Sequence, residues 1–264
     1  MVELSKVGQH FDQSEQPFVA KALDWIEKAS QEYTLCLTPF LNPREAHIVS
    51  LLVGDRTDIK IEAEGCFDRA EKKRLVIAPA FMEIGKDDFE MVLLQVTFAK
   101  KFVTLRHKDL LGALLSAGLE RSVFGDIVTD ENKGLAQVAI DKRQVPYVLS
   151  QIDAIGKVTA DWTEVSFNDA LIKEVEGKEE FLLLSSLRLD TVVATAFNLS
   201  RQEAKDLVLS GFVAVNWATS NQLDRIIRSK DVISVRKKGR ISLQSLAGHS
   251  KRDKIKAVFQ IIHR

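Results

Sequence analysis

The stretch from Ser186 to Val235 constrains this chain most, because several local signals follow one another there at fixed spacing. Arg188-Leu189-Asp190 comes first, and an apolar helical stretch through Val192, Val193 and Phe197 continues it. Asn198-Leu199-Ser200 breaks that helix. Ser200-Arg201-Gln202-Glu203 then reads as a capping box: the Ser hydroxyl can accept from the N3 amide, and Glu203 can reach back to the cap. A second helix follows with Ala204, Leu207 and Val208 inward, and Gly211 ends it. Val213-Ala214-Val215 is a short strand entering a turn at Asn216, and Val232 to Val235 is a later strand. Asp190 falls near a helix N-terminus, where exposed amides and the helix dipole favour a carboxylate without any chemistry.

This order resembles the RNA-binding domain named after ribosomal protein S-four, also called the αL motif. The family pattern is R-L-D, then S-R-x-x-A, then G-x-V-x-V-N-G, then G-D-x-I-x-V. The chain supplies Arg188-Leu189-Asp190, Ser200-Arg201-x-x-Ala204, Gly211-x-Val213-x-Val215-Asn216 and Asp231-x-Ile233-x-Val235. Two positions depart: Trp217 replaces the turn glycine and Lys230 replaces the glycine before Asp231. A bulky residue is disfavoured where a turn needs positive φ, so the hairpin after Val215 is expected to be rebuilt. Arg-Leu-Asp also surrounds the catalytic aspartate of pseudouridine synthases. That family carries its enzyme domain after the module, whereas here 74 residues follow Asp190 and the motif occupies them.

A formal net charge of zero hides a division. Ser185 to Arg264 holds 15 Lys+Arg against 6 Asp+Glu, a net of +9, and the remainder carries −9. A basic terminal module on an acidic body fits a polyanion binder. The expected RNA-binding residues are Arg188, Arg201, Lys205, Arg225, Arg228, Lys230, Arg236, Lys237, Lys238 and Arg240. Arg201 starts the second helix, near amides that attract phosphate, and Lys205 lies one turn on. Arg225, Arg228 and Lys230 bracket the loop before the strand at Val232. Arg236 to Arg240 puts four cations in five residues, with Gly239 letting a turn approach a backbone closely. Ile255, Ala257, Phe259 and Ile261 alternate in the basic tail that begins at Lys251, which suggests a final strand beside the same sheet.

Upstream, Glu15 to Lys28 carries a helical apolar stripe, and Asn42-Pro43 reads as the start of a second helix through about Leu52. Ile59 to Ala63 and Leu75 to Ala78 read as strands. The middle reads strand (Glu90 to Phe98), helix (His107 to Ala117), strand (Phe124 to Val128), strand (Leu135 to Ile140), helix (Lys142 to Ile152) and strand (Val158 to Val165). That is the ferredoxin-like pattern of RRM-type RNA binders. At the RRM signature, Lys133-Gly134-Leu135-Ala136-Gln137-Val138-Ala139-Ile140 keeps Lys, Gly, Ala and Val but replaces all three stacking aromatics, with Leu135, Gln137 and Ile140. This sheet is therefore expected to be a structural platform. Asn168 to Glu180, with Glu174, Glu176, Glu179 and Glu180, reads as a charged linker.

Leu105 to Ile127, "LRHKDLLGALLSAGLERSVFGDI", resembles the middle segment of the bacterial YlmH family, and Phe40 to Leu52, "FLNPREAHIVSLL", fits its N-terminal region. The resemblance implies a cytoplasmic RNA-binding protein associated with the large ribosomal subunit and with rescue of stalled subunits that still hold peptidyl-tRNA. His107, Lys108, Asp109 and Asp126 belong to the resembling segment and are expected to cap a helix and order a turn.

The expected fold class is α+β: a helical or mixed N-terminal region (1–85), a ferredoxin-like (RRM-like) domain (86–168) and a small αL-type RNA-binding domain (181–264). The expected function is non-enzymatic docking on large-subunit rRNA, alone or with tRNA. The alternatives are an RNA-modifying enzyme using Asp190 or the His107/Asp109 group, or a division-associated scaffold working through the middle sheet. No cofactor or metal is expected. Cys36 and Cys66 are isolated, the five His do not pair at metal spacings, and no phosphate-binding glycine loop occurs. No apolar run approaches the roughly 18 residues of a membrane span. The N-terminus lacks the basic-then-apolar order of a signal peptide, so neither membrane nor export is expected.

Overall fold

In the computed structural model, residues 11, 13–172, 177–250 and 252–263 are described. Most of the N-terminal stretch compared with a signal peptide, Glu174 and Glu176 of the expected linker, and Lys251 of the basic tail lie outside the described residues. The chain divides into two compact units, 1–173 and 174–264. It is a mixed α+β protein with several antiparallel sheets. Among the described residues no helix is long and apolar enough to cross a membrane.

The first unit opens with α1 (Gln16–Gln31), β1 (Cys36–Leu37), α2 (Pro43–Val53), β2 (Ile59–Glu64) and β3 (Arg74–Pro79). The strands form a sheet of order β1-β3-β2. Its core joins Ala22, Ile26 and Ala29 of α1 and Val49 of α2 to Leu75 and Ile77 of β3. Asn42 caps α2 as its sequence foretells: Oδ1 accepts from the Arg44 and Glu45 amides (2.9 and 3.0 Å), and Glu45 accepts from the Asn42 amide (2.8 Å).

Next come β4 (Met91–Thr97), α3 (His107–Ser116), β5 (Phe124–Asp130), β6 (Leu135–Asp141), α4 (Val145–Gln151), the small hairpin β7 (Ala154–Ile155) and β8 (Val158–Thr159), and β9 (Trp162–Val165). The four long strands pair antiparallel in the order β5-β6-β4-β9. Val92, Leu94, Val96, Val138 and Ile140 pack on one face against Leu110 and Leu114 of α3 and Val148 of α4. Leu93, Val128 and Ala139 pack on the other against Phe40, Val76, Ala78 and Leu171. Burial on both faces explains why Met91 to Val96 is apolar nearly throughout rather than alternating. The strand expected over 158–165 is instead the β7–β8 hairpin followed by β9. Gly156 turns the hairpin at φ 61°, and the Ala160 amide closes it on the Asp153 carbonyl (2.8 Å).

The second unit contains β10 (Lys178–Leu184), α5 (Leu189–Ala196), α6 (Arg201–Leu209), β11 (Val213–Val215), β12 (Ala218–Thr219), β13 (Val232–Val235), β14 (Gly239–His249) and β15 (Ile255–His263). The strands form one antiparallel sheet, β10-β15-β14-β13-β11-β12. Both helices cover one face: Val192, Val193, Ala204 and Val208 meet Val213, Ile233, Ile241, Leu243 and Phe259. Two expectations change. Lys178 to Glu180 is strand rather than linker, since Lys178 pairs with Ile261 and Glu180 with Phe259. β14 was not foreseen, although Ile241 and Leu243 alternate inward along it.

Candidate nucleic-acid interface

Asp190 is held through both carboxylate oxygens. Both its oxygens accept from the Arg188 guanidinium (3.1 Å from Nε, 2.9 Å from Nη2), and Oδ1 also accepts from the Thr191 amide (2.8 Å) and hydroxyl (3.3 Å). The Arg188 hydrogen bonds hold its carboxyl below the usual carboxylate range, and the amide bond adds to the effect. Asp190 thus starts α5 as expected and also orients Arg188. The α5 amides of Leu189 and Asp190 are not open to an anion, because they donate to the carbonyls of Arg225 and Leu223 (2.8 and 3.2 Å).

Beside this pair lies a polar groove lined by Ser185, Ser186, Arg188, Asp190, Thr191, Arg201 and Lys205. Ser200 builds its far wall by capping α6. Its hydroxyl accepts from the Glu203 amide (3.2 Å), and Glu203 accepts from the Ser200 amide (2.9 Å). That fixes Arg201 at the first position of α6 and Lys205 one turn on. Three of the ten expected cations therefore converge, with one carboxylate, on hydroxyl-bearing walls. Two cations of net excess beside a helix N-terminus suit a phosphate backbone.

The other seven are not brought into that groove. Arg225 lies in the loop whose backbone runs along residues 187–190. Arg228 and Lys230 form a turn held by Asp231, which accepts from the Arg228 amide (2.7 Å). Arg236, Lys237 and Lys238 form the β13–β14 turn, where Arg236 lies over the Phe212 ring, 5.2 Å from its centroid. Lys238 borders an apolar pocket that also contains Glu203 and Asp206, so its charge is partly balanced locally. Arg240 neighbours the buried Ile241 on β14 and so points to the sheet face away from the helices.

The expected rebuilding of the hairpin does not occur. Asn216 and Trp217 form a two-residue loop at φ 50° and 65°, with Val215 paired to Ala218. Positive φ at both central residues is the hairpin geometry that suits strand twist. Asn216 anchors it: Nδ2 donates to Asp231 (2.7 Å) and Oδ1 accepts from the Val232 amide (2.9 Å). Lys230 also keeps a left-handed conformation, φ 72°. Side-chain and strand pairing thus impose the glycine geometry on residues that do not prefer it.

In the first unit Asp109 accepts from the Arg106 amide (2.9 Å) at the start of α3. Asp126 accepts from the amides of Glu71 (2.8 Å) and Lys72 (3.2 Å), ordering that turn. Gln137, where the RRM signature has an aromatic, is fully buried. It donates to Gln95 (2.9 Å) and the Asp169 carbonyl (3.0 Å) and accepts from the Leu171 amide (2.7 Å). The sheet face used for stacking in RRMs is therefore covered. Sequence reading missed a buried ionic cluster. Arg74 donates to the carbonyls of Thr38 (2.8 Å) and Glu90 (3.0 Å) and lies 3.4 Å from Asp141, which is also bonded to Arg143. It missed Lys72 as well, whose ammonium donates to the carbonyls of Arg121 and Phe124. Burial, then the Arg121 charge, pushes Lys72 down to about 8. No single local signal marks these residues, because their partners are distant in sequence.

Three family models match the chain: "YlmH, N-terminal" over residues 14–82, "Putative RNA-binding domain in YlmH" over 85–169, and "S4 domain" over 187–233. A Bacillus subtilis (strain 168) protein named "Ribosome-associated protein quality control protein P2" is 35% identical over 257 residues, 97% of this chain and 99% of that one. The solved structure "Cell division protein ylmH from Streptococcus pneumoniae" is 28% identical with a TM-score of 0.52, and covers 62% of this chain and 98% of its own.

Proposed function

The chain belongs to the YlmH family, and from that premise we propose a non-enzymatic RNA-binding protein of ribosome quality control. It docks in the cytoplasm on large-subunit rRNA, alone or with peptidyl-tRNA, through residues 181–264. The groove of Arg188, Arg201 and Lys205 carries this reading. It lies in the segment matched by the S4 domain, on a chain aligned almost end to end with a protein named for ribosome-associated quality control. Asp190 acts here as a positioning residue for Arg188, in keeping with a binder. The +9 charge of 185–264 supplies the general attraction to RNA.

We read three domains, 1–85, 86–168 and 181–264, and the middle one as ferredoxin-like. The order β5-β6-β4-β9 with antiparallel neighbours supports that fold. Since both faces of that sheet are covered, any RNA contact of the middle domain runs through its helices or loops.

The test is co-sedimentation of the full chain with large subunits, and binding to rRNA fragments over a salt series. Arg201→Glu with Lys205→Glu should weaken binding at least about ten-fold while circular dichroism stays native. The slope of log K against log salt should also shallow by about 0.7–0.9 for each phosphate that is no longer neutralised. Asp190→Asn should weaken binding through Arg188 without abolishing any RNA modification. Undiminished binding by the double variant at low salt would remove the groove from the interface.

A further inference from the structure

We propose that the β11–β12 hairpin carries a stacking site for an unpaired nucleobase, formed by the Trp217 ring with the Arg240 guanidinium beside it. The proposal rests on the RNA-binding reading above, but places a second contact on a different face of the unit.

Trp217 occupies the second position of a two-residue loop at φ 65°, where glycine sits without cost and a bulky residue does not. Membership of the buried core does not explain it. The buried core of this unit is built from β10, β11, β13, β14, β15 and the two helices without Trp217, whose indole stays partly exposed. The ring instead meets Arg240, whose guanidinium lies 5.8 Å from its centroid. Strand alternation places Arg240 on the sheet face opposite α5 and α6, away from the groove of Arg188, Arg201 and Lys205.

The ring is also pre-positioned. Asn216, its neighbour, is bonded to Asp231 and to the Val232 amide, so the loop is fixed before any ligand arrives. A fixed, partly exposed aromatic plane next to a planar cation is how proteins hold splayed bases: the base stacks on the ring and the cation takes the adjoining phosphate. A paired base inside a duplex offers no free face for this. The site therefore selects a loop, bulge or end.

The test uses the full chain and two labelled RNAs, a blunt duplex and the same duplex interrupted by an unpaired loop, read by fluorescence anisotropy. Trp217→Gly should keep or raise the thermal midpoint, lose about five- to hundred-fold in affinity for the looped RNA, and leave duplex affinity unchanged. Trp217→Phe should retain most of the looped-RNA affinity. Equal affinity of wild type and Trp217→Gly for the looped RNA would overturn the site, and so would an equal loss on both RNAs. If the wild type binds neither RNA, the RNA-binding reading itself falls, and the stacking site with it.

Discussion

Gly239 shows a residue whose identity is fixed by the backbone, through both its positive φ and a close approach. It opens β14 at φ 140°, and a Cβ built there would lie 1.9 Å from the Ile262 carbonyl oxygen. Gly239→Ala should destabilise the second unit by at least about 1–3 kcal/mol in denaturant titration. An unchanged midpoint would mean the two strands can separate there at no cost. Cys66 is the opposite case, a side chain silenced by its surroundings. Burial, with the Glu64 charge, pushes its thiol up to about 12, and a thiol kept protonated is a poor nucleophile. A thiol reagent at neutral pH should label half-buried Cys36 slowly and Cys66 only after unfolding, as mass spectrometry of the labelled peptides would show. Trp217 is where residue-level reasoning failed. Its φ preference is worth roughly 1–2 kcal/mol, less than the strand pairing and the Asn216 side-chain bonds that oppose it.

At the scale of elements, what was legible in sequence was what local chemistry decides. The Asn42 helix start and the Ser200–Glu203 capping box appear where the sequence puts them, and Glu45 completes a second box that the structure adds. Asn42→Ala or Ser200→Ala should each cost about 1 kcal/mol of stability, measured by chemical denaturation. What was illegible depends on partners far along the chain. Lys178 to Glu180 reads as linker because charges usually mark solvated surface. Those residues are strand because β15, some eighty residues later, offers its free edge. The Gln137 position shows the same limit within the candidate site. Sequence shows that an aromatic is missing there, but not that Gln95, Asp169 and Leu171 close over the position. Gln137→Phe therefore should not create an RNA-stacking residue. It should cost roughly 2 kcal/mol or more, by leaving the Leu171 amide unpaired and overpacking the sheet. A gain in RNA affinity with undiminished stability would show that this face opens.

Over the whole molecule, the division of charge was the most legible feature, since a count finds +9 in 185–264 and −9 elsewhere without any structure. It does not reveal that the acidic first unit encloses a cation. Arg74 is 2% exposed and Asp141, 3.4 Å away, is 3% exposed. Burial alone would raise the Asp141 carboxyl. The hydrogen bonds from Arg143 and the charge of Arg74 outweigh it, so the carboxyl lies below its ordinary 3.8. A folded value below the unfolded one contributes stability above the unfolded value, and that contribution is lost as pH falls through the folded value. The first unit should therefore weaken steeply on acidification below about pH 4, followed by the fluorescence of Trp162, which is buried in it. Asp141→Asn should cost about 3–5 kcal/mol at neutral pH, because Arg74 is left buried without its counter-charge. The same variant should flatten the acid limb, since the group that titrated is gone. A variant as stable as wild type at pH 7, with an unchanged acid limb, would mean that the three carbonyl and carboxylate partners around Arg74 are interchangeable with water. Arg74→Met with Asp141→Asn separates the two effects. Removing both charges should recover much of the stability that the single change removes while leaving the acid limb flat, which only a paired, buried ion cluster would produce.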